Sequence, residues 1–259
     1  MVTIGDMPYA ISLCAEKDLA TVLGKETTIQ DHDIMYGIKA MKGIAGALKF
    51  LHTKLTREVD HVETVYCHFD VKPANILVFS TNGTDLGKWK LIDFGISSIS
   101  RPETKITATG HRENGRPRIT YTVATTPKQM GDNYQAPEVY KQKENEMGRG
   151  SDIWSFGCIF VEVLAAKLGT LVDLRKQMDS KNNGRFFQST CCSKTKSTLN
   201  KPLKDWLKKL PRELPQREAL LEDCQDIIVK TMQIKRCKRI TSEALVRELD
   251  ELVTRNVFT

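Results

Sequence analysis

Two acids, a cation and an amide recur within one short stretch of this chain: Asp70, Lys72 two residues on, Asn75 three further, and Asp93 eighteen residues after Asn75. Phosphoryl transfer calls for such a set. One carboxylate orients an attacking hydroxyl, a cation neutralises the moving phosphoryl group, and an amide oxygen and a second carboxylate offer hard oxygen ligands to magnesium. A D-x-K-x-x-N spacing alone would arise in about 3% of random chains of this length. The tripeptide Asp93-Phe94-Gly95, directly after a β-prone run, lowers that chance by orders of magnitude.

These groups need elements to position them. Residues 76–79 and 89–92 are two short β-prone runs, and the stretch 80–88 between them contains Asn82-Gly83, which predicts a hairpin with a long tip. Upstream, Ile34, Ile38, Met41, Ile44, Ala45, Leu48 and Leu51 fall at three- and four-residue steps, so 31–52 reads as an amphipathic helix with one buried face. A polar stretch, 53–64, separates it from 65–67. Downstream, 96–134 is rich in Thr, Arg, Pro and Gly without a sustained period and reads as a long loop. Residues 151–166 are apolar on more than one face and read as a core helix opened by a Ser or Asp cap. Residues 180–201 are polar, and 202–210, 214–232 and 241–253 read as three further helices. The expected fold is mainly α with a few short β-strands.

The 259 residues suffice for one large domain or two small ones. With 40% hydrophobic and 27% charged residues the chain is neither collagenous nor low in complexity. The longest apolar run, 157–166, contains Glu162 and is about half the ~20 residues of a membrane span. No basic start and apolar stretch marks a signal peptide, and the seven cysteines form no C-x-x-C pair, so a soluble intracellular protein is expected, cytoplasmic or nuclear. The net charge of +7 is scattered. Its clusters, at 194–212 and 235–239, read as solvated surface, and no interleaved aromatics favour nucleic acid.

The residues His68 to Val78 together with Asp93-Phe94-Gly95 resemble the catalytic loop and magnesium motif of the eukaryotic protein kinases. Further landmarks follow in order. Tyr134-Gln135-Ala136-Pro137-Glu138 looks like the end of the activation segment, Ser151 to Gly157 like the central helix of the large lobe, and Arg239-Ile240-Thr241 like its late structural arginine. The resemblance runs from about Tyr9 to Val253, and the Lys72-Pro73-Ala74-Asn75 form is similar to serine/threonine kinases.

What the resemblance implies is a kinase-like C-terminal lobe over 20–259, with a catalytic loop at 68–78 and an activation segment at 93–138. Residues 1–19 would be the last small-lobe strand and the hinge, the small lobe being otherwise truncated. ATP and Mg2+ are the implied cofactors. Asp70 would orient the hydroxyl of a protein Ser/Thr substrate, Lys72 would neutralise the γ-phosphate, and Asn75 and Asp93 would hold magnesium. Backbone groups at Ser12, Leu13, Cys14 and Ala15 would meet adenine. Glu138 and Arg239 would form a buried ion pair, and Asp152 would brace the catalytic-loop backbone.

The chain departs from the family pattern in three places. The residues before the first long helix hold only Gly5 and Gly24, with no Gly-rich loop and no pairing of a strand lysine with a helix glutamate. Phe69 replaces the arginine that receives an activation-segment phosphate in many kinases. Met130-Gly131-Asp132-Asn133 replaces the expected Gly-Thr spacing. The implied activity is therefore an ATP-dependent protein serine/threonine kinase impaired in this chain, and the alternative is a non-catalytic, pseudokinase-like scaffold or protein-binding module. An uncovered hinge edge calls for a partner to cover it.

Overall fold

The structure, a computed structural model, describes residues 2–4, 7–9, 15–24, 34–54, 56–59, 62–81, 84–93, 112–113, 116–117, 133–141, 148–189 and 197–256. It opens with paired strands β1 (Val2–Ile4) and β2 (Met7–Tyr9), then β3 (Lys17–Asp18), helix α1 (Leu19–Gly24) and helix α2 (Ile34–Thr53). Two hairpins follow, β4 (Thr56–Val59) with β5 (Val62–Val65) and β6 (Ile76–Thr81) with β7 (Thr84–Leu91). After the short pair β8 (Arg112–Glu113) and β9 (Arg116–Pro117) come α3 (Pro137–Tyr140), α4 (Arg149–Lys167) and α5 (Leu171–Asn182). The pair β10 (Phe187–Ser189) and β11 (Ser197–Leu199) leads into α6 (Lys201–Lys209), α7 (Glu218–Thr231) and α8 (Ser242–Asn256). Helix dominates and the strands are short, as the sequence predicts.

Burial follows the sequence pattern. The stripe of α2 from Ile34 to Leu51 faces inward, with Ile38, Met41, Ile44, Ala45 and Leu48 fully buried. Residues 31–33, the expected start of this helix, lie outside the described residues. In α4 every residue from Ser151 to Ala165 is buried, which is why its sequence shows no polar face. Helix α7 approaches α4 at Gly157, where a Cβ would run into Thr231 and Met232. Helix α8 packs on α2.

Several expectations are corrected. The hairpin over 76–92 has a short tip, because cross-strand pairing extends from Ile76–Leu91 out to Thr81–Thr84, with an irregularity between Phe79 and Thr81. The stretch 53–64 carries the β4–β5 hairpin. The polar region 180–201 carries the β10–β11 pair, whose Phe187 is buried, and the unanticipated α5 ahead of it buries Leu171, Leu174 and Met178. Inward positions spaced among the charged and polar residues of α5 do not stand out from its sequence. Ser151 and Asp152 do not cap α4, which begins after Gly148 without a side-chain cap; both lie inside the helix and bond to other elements.

Candidate active site

The segment from His68 to Asn75 folds as its residue types require. Pro73 starts a single 3-10 turn, Pro73–Asn75, and Lys72 ahead of it is extended, as a residue before proline must be. The Asn75 N–H donates to the Lys72 carbonyl at 2.9 Å and closes the turn. Val71 and Pro73 are buried and anchor the loop, whereas Asp70 and Lys72, each next to a buried neighbour, remain partly accessible.

The side chains then organise one another. Lys72 Nζ lies 2.9 Å from Asp70 Oδ2. Asn75 Nδ2 donates to both the Asp70 carbonyl and Oδ2, each at 2.9 Å. Asp70 Oδ2 is thereby held from two sides, and among the described residues Oδ1 carries no protein partner. With both amide protons of Asn75 committed, its Oδ1 is the atom left to act as a ligand.

Asp93 reaches this loop through the backbone. The Ile92 N–H donates to the Asn75 carbonyl at 2.9 Å, and His68 Nε2 donates to the Ile92 carbonyl, also at 2.9 Å. The residue before Asp93 is thus tied to this loop at both its amide and its carbonyl. The buried His68 also accepts from the Asp70 N–H at Nδ1, 3.3 Å away. A carbonyl only accepts and an amide N–H only donates, so these two bonds assign His68 the neutral tautomer with its proton on Nε2. Asp93 is exposed and adopts φ of +63°. An amide oxygen and an exposed carboxylate are donor types that magnesium takes, with few protein ligands and its remaining positions kept for water and phosphate.

Phe69 also has positive φ, +62°, a region that costs a non-glycine residue on the order of 1–3 kcal/mol. Asp152 of α4 offsets this. Its Oδ1 accepts the Phe69 N–H and its Oδ2 the His68 N–H, each at 2.8 Å, while His52 Nε2 from the end of α2 lies 2.9 Å from Oδ2. His52 and Asp152 are fully buried. Cys67, next in the chain, is buried too; burial raises its thiol pKa well above the ordinary value, and Asp152 adds to the rise.

The chain around Glu138 is fixed separately. Arg239 Nη1 and Nη2 grip Glu138 Oε1 and Oε2 at 2.6 and 2.8 Å, with both side chains buried. Arg239 also donates to the carbonyls of Gly150 and Gln233. Tyr134 donates its hydroxyl to Glu162 Oε2 at 2.7 Å, and Arg175 Nε meets Glu162 Oε1 at 2.8 Å. Burial opposes the charge on Arg175, but its bond to Glu162 and the attraction of that carboxylate raise its pKa overall.

The structure thus brings Asp70, Lys72, Asn75 and Asp93 to one loop cluster. Ala15 is half-buried just ahead of β3, and Ser12, Leu13 and Cys14 lie outside the described residues, as do Phe94 and Gly95 and most of 96–138. The sequence reading assigned no role to His52, His68, Glu162 or Arg175. Only His68, inside the motif, carried any signal.

A family model for the protein kinase domain matches residues 6–249 of this chain. The chain belongs to the protein kinase family. Its relatives include the serine/threonine-protein kinase MPS1 of Encephalitozoon cuniculi, 28% identical over 74% of this chain and 30% of that protein. Mitogen-activated protein kinase kinase kinase 20 of Arabidopsis thaliana is 26% identical over 94% of this chain and 61% of its own length. Serine/threonine-protein kinase Nek2 of Mus musculus is 29% identical over 67% and 33% respectively. The chain therefore spans about a third to three fifths of the length of these relatives. Protein kinases use ATP and magnesium. Among the described residues no helix of this kinase-family chain is long and apolar enough to cross a membrane.

Proposed function

We propose that this chain is the large lobe of a protein serine/threonine kinase, transferring the ATP γ-phosphate to Ser/Thr hydroxyls of a protein substrate. The observation that carries the reading is the state of Asp70, with Oδ2 held by Lys72 and Asn75 and Oδ1 left to accept a hydroxyl proton. In this reading Asp70 orients the nucleophile and Lys72 sets a positive charge beside the transferred group. Asn75 Oδ1 and the Asp93 carboxylate are the ligands for magnesium, which would offset charge on the phosphate oxygens. Residues 20–259 form the lobe, 93–138 its activation segment, and the backbone of residues 12–15 the adenine contact.

A second reading takes the lobe as a non-catalytic scaffold for protein partners. Titration calorimetry with ATP, with and without magnesium, on the chain and on Asp93→Asn separates the two. Magnesium-dependent binding lost in the variant, followed by phosphotransfer abolished by Asp70→Asn, supports the enzyme. Absence of binding to the folded protein supports the scaffold.

A further inference from the structure

The sequence reading leaves the basic cluster after residue 194 as solvated surface, but α6 arranges its lysines in a way composition does not reveal. The apolar residues of this helix, Pro202, Leu203, Trp206 and Leu207, are all buried, and the face left outside is built from Lys201, Lys204, Asp205, Lys208 and Lys209. Arg212, in the turn that continues the helix, is exposed too. Residues 201–212 hold five cations against Asp205 alone, a net +4 of the chain's +7.

These charges are also uncompensated. Three exposed or half-exposed cations on other helices find acids on neighbouring elements: Lys42 meets Asp250, Lys230 meets Glu248, and Arg255 meets Asp223. On α6 the one pair is Lys201 with Asp205, at 3.5 Å and largely exposed, a geometry worth little in water. Among the described residues Lys204, Lys208, Lys209 and Arg212 have no acidic partner. Like charges at three- and four-residue steps destabilise a helix. This face therefore carries a repulsion that an incoming anion would relieve.

We propose that the exposed face of α6 is a docking surface for an acidic helical segment of a partner protein. Lys201, Lys204 and Lys208 repeat at one-turn intervals over about 10 Å of helix, the spacing at which carboxylates recur along one face of a facing helix. Insertion of an amphipathic helix into a membrane surface needs an apolar face, and that of α6 is already consumed by the core. Single-stranded nucleic acid binding draws on aromatic platforms, and the one aromatic residue of α6, Trp206, is buried. The proposal does not depend on whether the chain transfers phosphate.

The test uses the full chain and a fluorescent, Glu-rich helical peptide of about 18 residues with glutamates at three- and four-residue steps. Anisotropy is read from low to high salt, beside anionic phosphatidylserine vesicles and duplex DNA. The expected result is peptide binding that weakens with salt and falls about tenfold or more when Lys201, Lys204 and Lys208 are changed to Glu, at unchanged melting temperature. Changing Lys88, Lys176 and Lys235 to Glu alters net charge equally and should leave binding intact. No binding, equal losses in the two triple variants, or α6-dependent binding stronger to vesicles or DNA than to the peptide would each overturn the proposal.

Discussion

His52 Nε2 lies 2.9 Å from Asp152 Oδ2, joining the end of α2 to the first turn of α4 beneath the loop that carries Asp70. Asp152 is also the acceptor for the N–H groups of His68 and Phe69, so this buried pair sets the floor on which Asp70 stands. His52→Leu leaves a buried carboxylate short of one donor and should cost about 1–3 kcal/mol in denaturant unfolding. Asp152→Ala frees both loop amides and the strained Phe69 as well. It should cost more than His52→Leu, and the opposite order would refute this arrangement.

The Glu138 and Arg239 pair makes a sharper claim. Removing one partner of a buried ion pair typically costs about 3–5 kcal/mol, because the other charge is left unpaired. Arg239→Ala should therefore depress the melting temperature severely. Glu138→Ala should do likewise, since it strands the guanidinium. The double variant should lose less than the sum of the two, and simple additivity in a double-mutant cycle would show that the charges do not interact.

Thiol chemistry tests the burial pattern directly. Cys67, Cys158 and Cys224 are buried and Cys237 is exposed, so iodoacetamide followed by peptide mapping should modify Cys237 in the native protein and the other three only in urea. Burial raises the pKa of Cys67 and of Cys224, with Asp152 and Asp223 contributing to each rise respectively. The folded state then holds protons that the unfolded chain releases. The resulting stability is fully kept below the ordinary thiol pKa of about 8.5 and erodes as pH climbs from there toward the raised folded values, by up to ~1.4 kcal/mol per pH unit for each thiol. A Cys67→Ser, Cys224→Ser variant should show a flatter alkaline limb of stability against pH.

Gly157→Ala probes the contact between α4 and α7. The added methyl would meet Thr231 and Met232, so alanine, ordinarily favourable in a helix, should destabilise here by about 1–3 kcal/mol. Shortening the neighbour with Met232→Ala should recover part of that loss. A Gly157→Ala protein as stable as its parent would mean that the two helices are farther apart.

The chain by itself determined whatever depends on local pattern. The three- and four-residue stripe of α2 and the all-round apolar α4 were legible because burial leaves a periodicity or erases one. The candidate set of Asp70, Lys72, Asn75 and Asp93 could be singled out because one short loop and the end of one hairpin carry them all. Helix α5 was not legible, since its buried positions do not stand out from a polar sequence, and neither was the true start of α4, because Ser151 and Asp152 have the composition of a cap but partners elsewhere in the fold. Only the tertiary structure brought His52 to Asp152, one hundred residues away, or set Arg175 against Glu162 and Tyr134. Such pairings are decided by which helices pack together. A buried carboxylate must take its donors from whatever element lies against it, and nothing in the residues flanking it records which element that is.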